Sequence, residues 1–190
     1  ACNLDTETIY RLANDPDIEY ISFDVKVYAL LDISVPTMEA HFPHEQGYKG
    51  EGITVAVIDT GVAPHYDLTR PVNRIIGFKD FINNKTSPYD DNGHGTHVAG
   101  IIAGNGYSSR GKYAGIAPEA NILGIKALNN RGSGNMSDII AAIEYAVKTK
   151  DEYNTKILNL SFGSPANNSY QKDPLCKAVN EAKNAGLIVV

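Results

Sequence analysis

Ile53-Thr54-Val55-Ala56-Val57-Ile58-Asp59-Thr60-Gly61 is the run that decides the fold. Its first six residues are almost all β-branched and nearly without polar side chains. That pattern reads as a strand covered on both faces, not one with a wet side. Strands of this kind belong to parallel sheets, and parallel neighbours need long crossover connections, usually helices. The sequence beyond Gly52 supplies them. Asn121 to Leu128 carries Ile122, Leu123 and Ile125, a second strand. Asp138 to Lys148 sets Ile139, Ile140, Ile143, Ala146 and Val147 on one helical face. Lys156 to Leu160 is a third strand. Asp173-Pro174 fits an N-cap followed by proline at the first helical position, and Gly186 sits where a capping glycine closes that helix. Leu187 to Val190 begins a fourth strand. The alternation predicts an α/β fold, a doubly wound parallel sheet flanked by helices.

Composition narrows the function. The 190 residues carry a net charge of −5, which leaves no electrostatic footprint for nucleic acid. No apolar run approaches the roughly 20 residues that span a bilayer. Cys2 and Cys176 lie at opposite ends of the chain, form no metal-ligand cluster, and read as two unrelated thiols, with a disulfide between them as the alternative. Because Leu187 to Val190 looks like a strand only beginning, the sequence is expected to be a fragment or a cleaved product, an incomplete version of the fold.

Residues 1 to 31 read as a separate unit. Thr8 to Ala13 is helical in flavour, and Asn14-Asp15-Pro16-Asp17 is a turn. Ile18 to Leu31 is strand-like, because Tyr20, Ser22, Asp24, Lys26 and Tyr28 alternate with Ile21, Phe23, Val25 and Val27. A further helix is expected within Val35 to Gly47.

In open parallel sheets ligands bind beyond the carboxyl ends of the strands. Asp59 follows one strand directly, Ser161-Phe162-Gly163 follows another, and the Gly132-Ser133-Gly134 loop lies beyond a third. His94 opens the apolar helix His94 to Gly104, after the polar turn Asp90-Asp91-Asn92-Gly93. An imidazole there, given Asp59 as partner, has its tautomer fixed and becomes a general base. Asp90 and Asp91 are the second choice for that orienting carboxylate, and their commoner role is a solvated turn. His97, three residues on, lacks the spacing and intervening glutamate of a helical zinc pair. It is expected to be a structural, hydrogen-bonded histidine. His41, His44 and His65 show no spacing signal. Asp59-Thr60-Gly61 also matches the acid tripeptide of aspartic proteases, but those are β-rich and this chain alternates strands and helices.

Val55 to Gly61 resembles the aspartate motif of subtilisin-like serine proteases, and Gly93-His94-Gly95-Thr96-His97-Val98-Ala99-Gly100 resembles their histidine motif. Gly115-Ile116-Ala117-Pro118 and Asn159-Leu160-Ser161-Phe162-Gly163 match further signatures in the same order, and Gly47-Tyr48-Lys49-Gly50 is similar to bacterial members. The resemblance covers about residues 33 to 190. It implies a serine endopeptidase in which Asp59 orients His94 and His94 takes the proton of a nucleophilic serine. It implies that Gly132-Ser133-Gly134 and Ser161-Phe162-Gly163 are edge strands pairing with an extended peptide or protein substrate. Ser161 to Gly163 would also line the pocket for the side chain before the cut. No cofactor is needed for the chemistry. A structural calcium ion is implied at Asp67, although the companion loop Gly104 to Lys112 departs from the best-known pattern. A bacterial origin is expected, with the protein secreted or cytoplasmic.

Two departures stand out. No Gly-Thr-Ser-Met motif occurs here, and the asparagine of the oxyanion hole would follow a strand like Leu187 to Val190. The nucleophile is thus expected beyond residue 190, in a C-terminal remainder of the peptidase domain, and the fragment alone is expected to be inactive. Residues 1 to 31 resemble the C-terminal part of an inhibitory propeptide, with the junction inside Val25 to Asp32, and residues 32 to 190 the N-terminal part of the peptidase domain. The alternative is a pseudoprotease, a module that grips peptides or its own propeptide without cutting.

Overall fold

A computed structural model describes residues 2–24, 26–29, 41–163 and 169–190. Expectations for Val25, for residues 30–40 and for the segment after Gly163 up to Asn168 lie outside the described residues.

Near the N-terminus, Asp5 caps helix α1 (Thr6–Ala13) by accepting the Thr8 amide at 2.7 Å. Residues 14–24 are a turn followed by chain outside any regular element, not the strand that the alternation from Ile18 suggests. Among the described residues this stretch has no sheet partner, and Tyr20 and Phe23 stand 40% and 86% exposed. Among the described residues the strand forms at β1 (Lys26–Ala29), where pairing begins. A short helix α2 (His41–Glu45) follows.

The main sheet contains β2 (Thr54–Asp59), β3 (Ile75–Asp80), β4 (Asn121–Lys126), β6 (Thr155–Asn159) and β8 (Ile188–Val189). All are parallel, in the order β3-β4-β2-β6-β8. β2 lies in the middle, and each of its six residues is buried, as its composition requires. Alternate β2 residues face two cores. Ala56 and Ile58 pack with α5 (Met136–Lys148) and α6 (Pro174–Asn184) on one side. Val55 and Val57 pack with α4 (His94–Ala103) on the other. Asp173 caps α6 through the Cys176 amide, and Gly186 follows its end at φ +92°. β3 went unread in the sequence because Gly77 and Lys79 interrupt its apolar pattern. Both cysteines are free thiols.

A second, three-stranded sheet has β1 in its centre, antiparallel to β5 (Ser133–Asn135) on one side and to β7 (Phe162–Gly163) on the other. Val27 pairs with Gly134, Tyr28 with both Ser133 and Gly163, and Ala29 with Phe162.

Candidate active site

β2 delivers Asp59 to the carboxyl edge of the sheet, where its side chain is wholly buried. α4 begins at His94, which is 6% exposed. The His94 Nδ1 atom lies 2.7 Å from Asp59 Oδ1, and the same oxygen accepts the Thr60 amide at 2.7 Å. Two residues 35 apart in sequence thus form one buried acid–imidazole contact. Burial pushes the Asp59 carboxyl upward from its ordinary range, opposed by the His94 ring and the Thr60 amide.

The close approach depends on residue types on both sides. A Cβ at Gly95 would run into the Gly61 carbonyl oxygen and lie 2.9 Å from Asp59 Cβ, so the helix can start this near Asp59 only with glycine. Gly61 has φ +122°, and a Cβ there would strike the Tyr89 carbonyl.

Two carboxylates upstream of His94 have jobs of their own, not the solvated turn expected for them. Asp90 Oδ1 accepts the Thr60 hydroxyl and the amides of Asn92 and Gly93 at 2.9–3.1 Å. Its Oδ2 accepts the amide and hydroxyl of Thr96 at 2.9 and 2.7 Å. Thr60 Oγ1 in turn accepts the Gly95 amide at 3.0 Å. Desolvation would raise the Asp90 carboxyl, but the donors from Gly93, Thr96 and Asn92 outweigh it and hold it below the usual range. Asp91 accepts from the buried ammonium of Lys126 at 2.7 Å. Neither Asp90 nor Asp91 competes with Asp59 for the imidazole nitrogen Nδ1.

His97 departs from expectation. Among the described residues its side chain makes no hydrogen bond, and it stands exposed on the wall of a cleft with His65, Thr96 and Tyr113. Val98 and Ala99 are the buried residues of that turn. His65 caps the short helix α3 (Tyr66–Thr69), and His44 Nε2 lies 2.7 Å from the Ile116 carbonyl.

The two segments expected to hold substrate are β5 and β7 with the residues before them. Gly132, at φ +70°, turns the chain into β5. Ser161 immediately precedes β7, and its hydroxyl accepts from Asn159 at 2.8 Å. Between them lies β1, and just upstream Asp24 accepts the Ser137 amide and hydroxyl at 2.9 and 2.8 Å, in the first turn of α5.

The surroundings of Asp67 do not fit a calcium ion. Its Oδ1 accepts the Ser108 amide at 2.8 Å, and His65 Nδ1 lies 3.8 Å away. Its carbonyl accepts from the Arg74 guanidinium at 2.5 Å and from the Asn105 amide at 3.1 Å. The facing loop offers Arg110 and Lys112 and no carboxylate. Among the described residues no three His, Cys, Asp or Glu side chains gather as a metal site.

Thr60, Asp90 and Thr96 fell inside the quoted motifs yet were not singled out for this clamp, and Lys126 was read only as part of a strand. The sequence signal for it was present: a lysine at the end of an apolar strand that the fold would bury.

Residues 50–190 match the model of the subtilase family. The chain is 44% identical over 185 residues to serine protease AprX of Bacillus subtilis, covering 94% of this chain and 41% of that protein. It is 35% identical to the thermostable alkaline protease of Halalkalibacterium halodurans, with 98% and 48% coverage. It is 34% identical to subtilisin E of Bacillus subtilis, with 100% and 47% coverage. The chain therefore spans about half the length of the curated relatives it matches. No helix among the described residues is long and apolar enough to cross a membrane. With its parallel sheet, its family match and its named relatives, the chain belongs to the subtilase family of subtilisin-like serine proteases.

Proposed function

We propose that the full-length protein is a serine endopeptidase that cleaves peptide bonds by acyl transfer to a serine, followed by hydrolysis. The observation that carries the reading is the buried 2.7 Å contact between Asp59 and His94 at the carboxyl edge of the sheet. Asp59 accepts the Nδ1 proton, which leaves Nε2 as the base for a serine hydroxyl located outside residues 1–190. As the imidazolium forms, the Asp59 carboxylate stabilises it, and His94 then returns the proton to the leaving amine. The oxyanion-hole donor is assigned to the same remainder of the peptidase domain.

Substrate would lie extended between Ser133–Asn135 and Phe162–Gly163, adding a strand to each, with Gly132 and Ser161 shaping the entries. Lys26–Ala29 pairs with both segments, which supports reading residues 1–31 as an inhibitory propeptide whose tail fills the substrate slot. Substrate protein, propeptide and the rest of the domain are the partners of this reading. Its bacterial relatives support a bacterial origin, with secreted and cytoplasmic locations both compatible.

His94→Ala in the full-length protein should abolish cleavage of a peptide substrate and of the propeptide junction while leaving propeptide binding intact. Turnover unchanged from wild type would defeat the assignment. A wild-type protein that binds the peptide and never cuts it would instead be the pseudoprotease.

A further inference from the structure

Lys126 is the last residue of β4 and is fully buried. Its register partners are Asp59 in β2 and Asp80 in β3, so its backbone lies beside the strand end that carries the candidate acid. A buried ammonium has three protons to place, and an unpaired one is costly. Here each has an acceptor: the Thr60 carbonyl at 2.5 Å, Asp91 Oδ1 at 2.7 Å and the Leu128 carbonyl at 2.9 Å. The Tyr89 ring lies 5.3 Å away on another side.

Those acceptors belong to three different segments. Thr60 directly follows Asp59. Asp91 lies in the turn three residues before His94. Leu128 leads toward the Gly132–Asn135 segment. One ammonium therefore fastens the two halves of the acid–imidazole contact to each other and to the segment entering β5. The Asp90 clamp joins the same two halves through side-chain oxygens. Lys126 does so through the Thr60 carbonyl, so the two attachments restrain different degrees of freedom. Among the described residues Asp91 is the carboxylate that pairs with this cation.

We propose that Lys126, with Asp91 as its counter-ion, is a positioning residue that sets the placement of Asp59 against His94. The proposal rests on the reading of Asp59 and His94 as an acid–base pair. A misplacement of about 1 Å from a mutation outside the chemistry can cost on the order of 100-fold in rate. Lys126 touches the approach to β5 only at the Leu128 carbonyl, ahead of the residues assigned to substrate in β5 and β7. The loss is therefore expected in kcat with KM largely kept.

The test uses the full-length protease. Lys126→Met keeps much of the side chain's volume and removes the charge. With folded protein verified by circular dichroism, kcat should fall at least about tenfold and KM should stay within about twofold. The low-field proton resonance of the imidazole Nδ1–H should shift or broaden. Should Lys126→Met fail to fold, Asp91→Asn, at a position 38% exposed at its side chain, carries the same test with a smaller loss of kcat. Wild-type kcat per folded molecule together with an unmoved imidazole resonance, in whichever of these variants folds, would overturn the proposal and leave Lys126 a structural ion. Failure of the acid–base reading would show separately, as full activity in His94→Ala.

Discussion

At the scale of single residues, Asp59 and His94 were legible because each ends or begins an element whose pattern is plain in the sequence. The link from Asp90 and Lys126 to the Asp59 strand end was not, since it runs through Thr60, 30 and 66 residues away from them, and the local bonds of Asp90 to Asn92, Gly93 and Thr96 look like those of any polar turn. The polar turn before His94 reads as solvated until folding brings Thr60 and Thr96 onto Asp90. The role of Asp90 can be tested by pH. Five donors act on one partly buried carboxylate, and hydrogen bonds to a charged group are worth about 1.5–3 kcal/mol each when their loss leaves donors stranded. Asp90→Asn keeps the size of the side chain but replaces an acceptor with an amide nitrogen, so it should lower unfolding free energy by about 2 kcal/mol at neutral pH. The sign with pH follows from the lowered carboxyl. A carboxyl held below its ordinary value of 3.8 contributes stability that is complete above that value and is lost as pH falls through its folded value. Wild type and variant should therefore differ fully in urea unfolding at pH 7 and converge below about pH 4. A gap that persists unchanged at pH 3 would refute this account.

Among the elements, the helices with caps were readable to within a residue or two, because capping chemistry is local: Asp173 and Pro174 open α6, and Gly186 follows it. Strands that exist only through a partner were not. Ile18 to Phe23 alternates as well as any strand and yet pairs with nothing among the described residues, whereas Ser133–Asn135 and Phe162–Gly163 are strands of three and two residues with little pattern. Ladders this short cannot stand alone, and β1 in the middle supplies each with its partner. The upstream fastening is Asp24 on the first turn of α5, where a carboxylate meets both a free amide and the positive helix end. The Glu19–Lys177 pair nearby is solvated on both sides and adds little. On the proposed reading of residues 1–31 as a propeptide, that segment added as a peptide to the full-length protein from which it has been removed should inhibit cleavage. Asp24→Ala should raise its inhibition constant roughly tenfold, equivalent to about 1.4 kcal/mol and in line with one exposed charged hydrogen-bond pair. An equal inhibition constant for the two peptides would mean that the β1 pairing alone holds the segment.

The whole molecule shows something the alternation of elements could not. From β3 to β4, from β4 to β6 and from β6 to β8 the chain steps in the same direction across the sheet. The connection through α4 nevertheless lies on the face opposite to α5 and α6. Parallel connections that step the same way on opposite faces have opposite hands. About 98% of such crossovers are right-handed, so the two through α5 and α6 take the usual hand and the one through α4 the rare one. The sequence predicted the doubly wound class but held no mark of this, because handedness is a relation among three elements. A consequence for folding follows. The β4–α5–β6 unit can form by the ordinary route, while α4 docks against an already twisted sheet in the disfavoured sense. We expect Ile143→Val in α5, a loss of about 1 kcal/mol, to act mainly on the folding rate, with a φ-value above about 0.5. Val98→Ala in α4 should act mainly on unfolding, with a φ-value below about 0.3. Stopped-flow chevrons of the two variants measure both. High φ at Val98 with low φ at Ile143 would reverse the order, and would make the rare-handed crossover, with the His94 helix it carries, the nucleus of the fold.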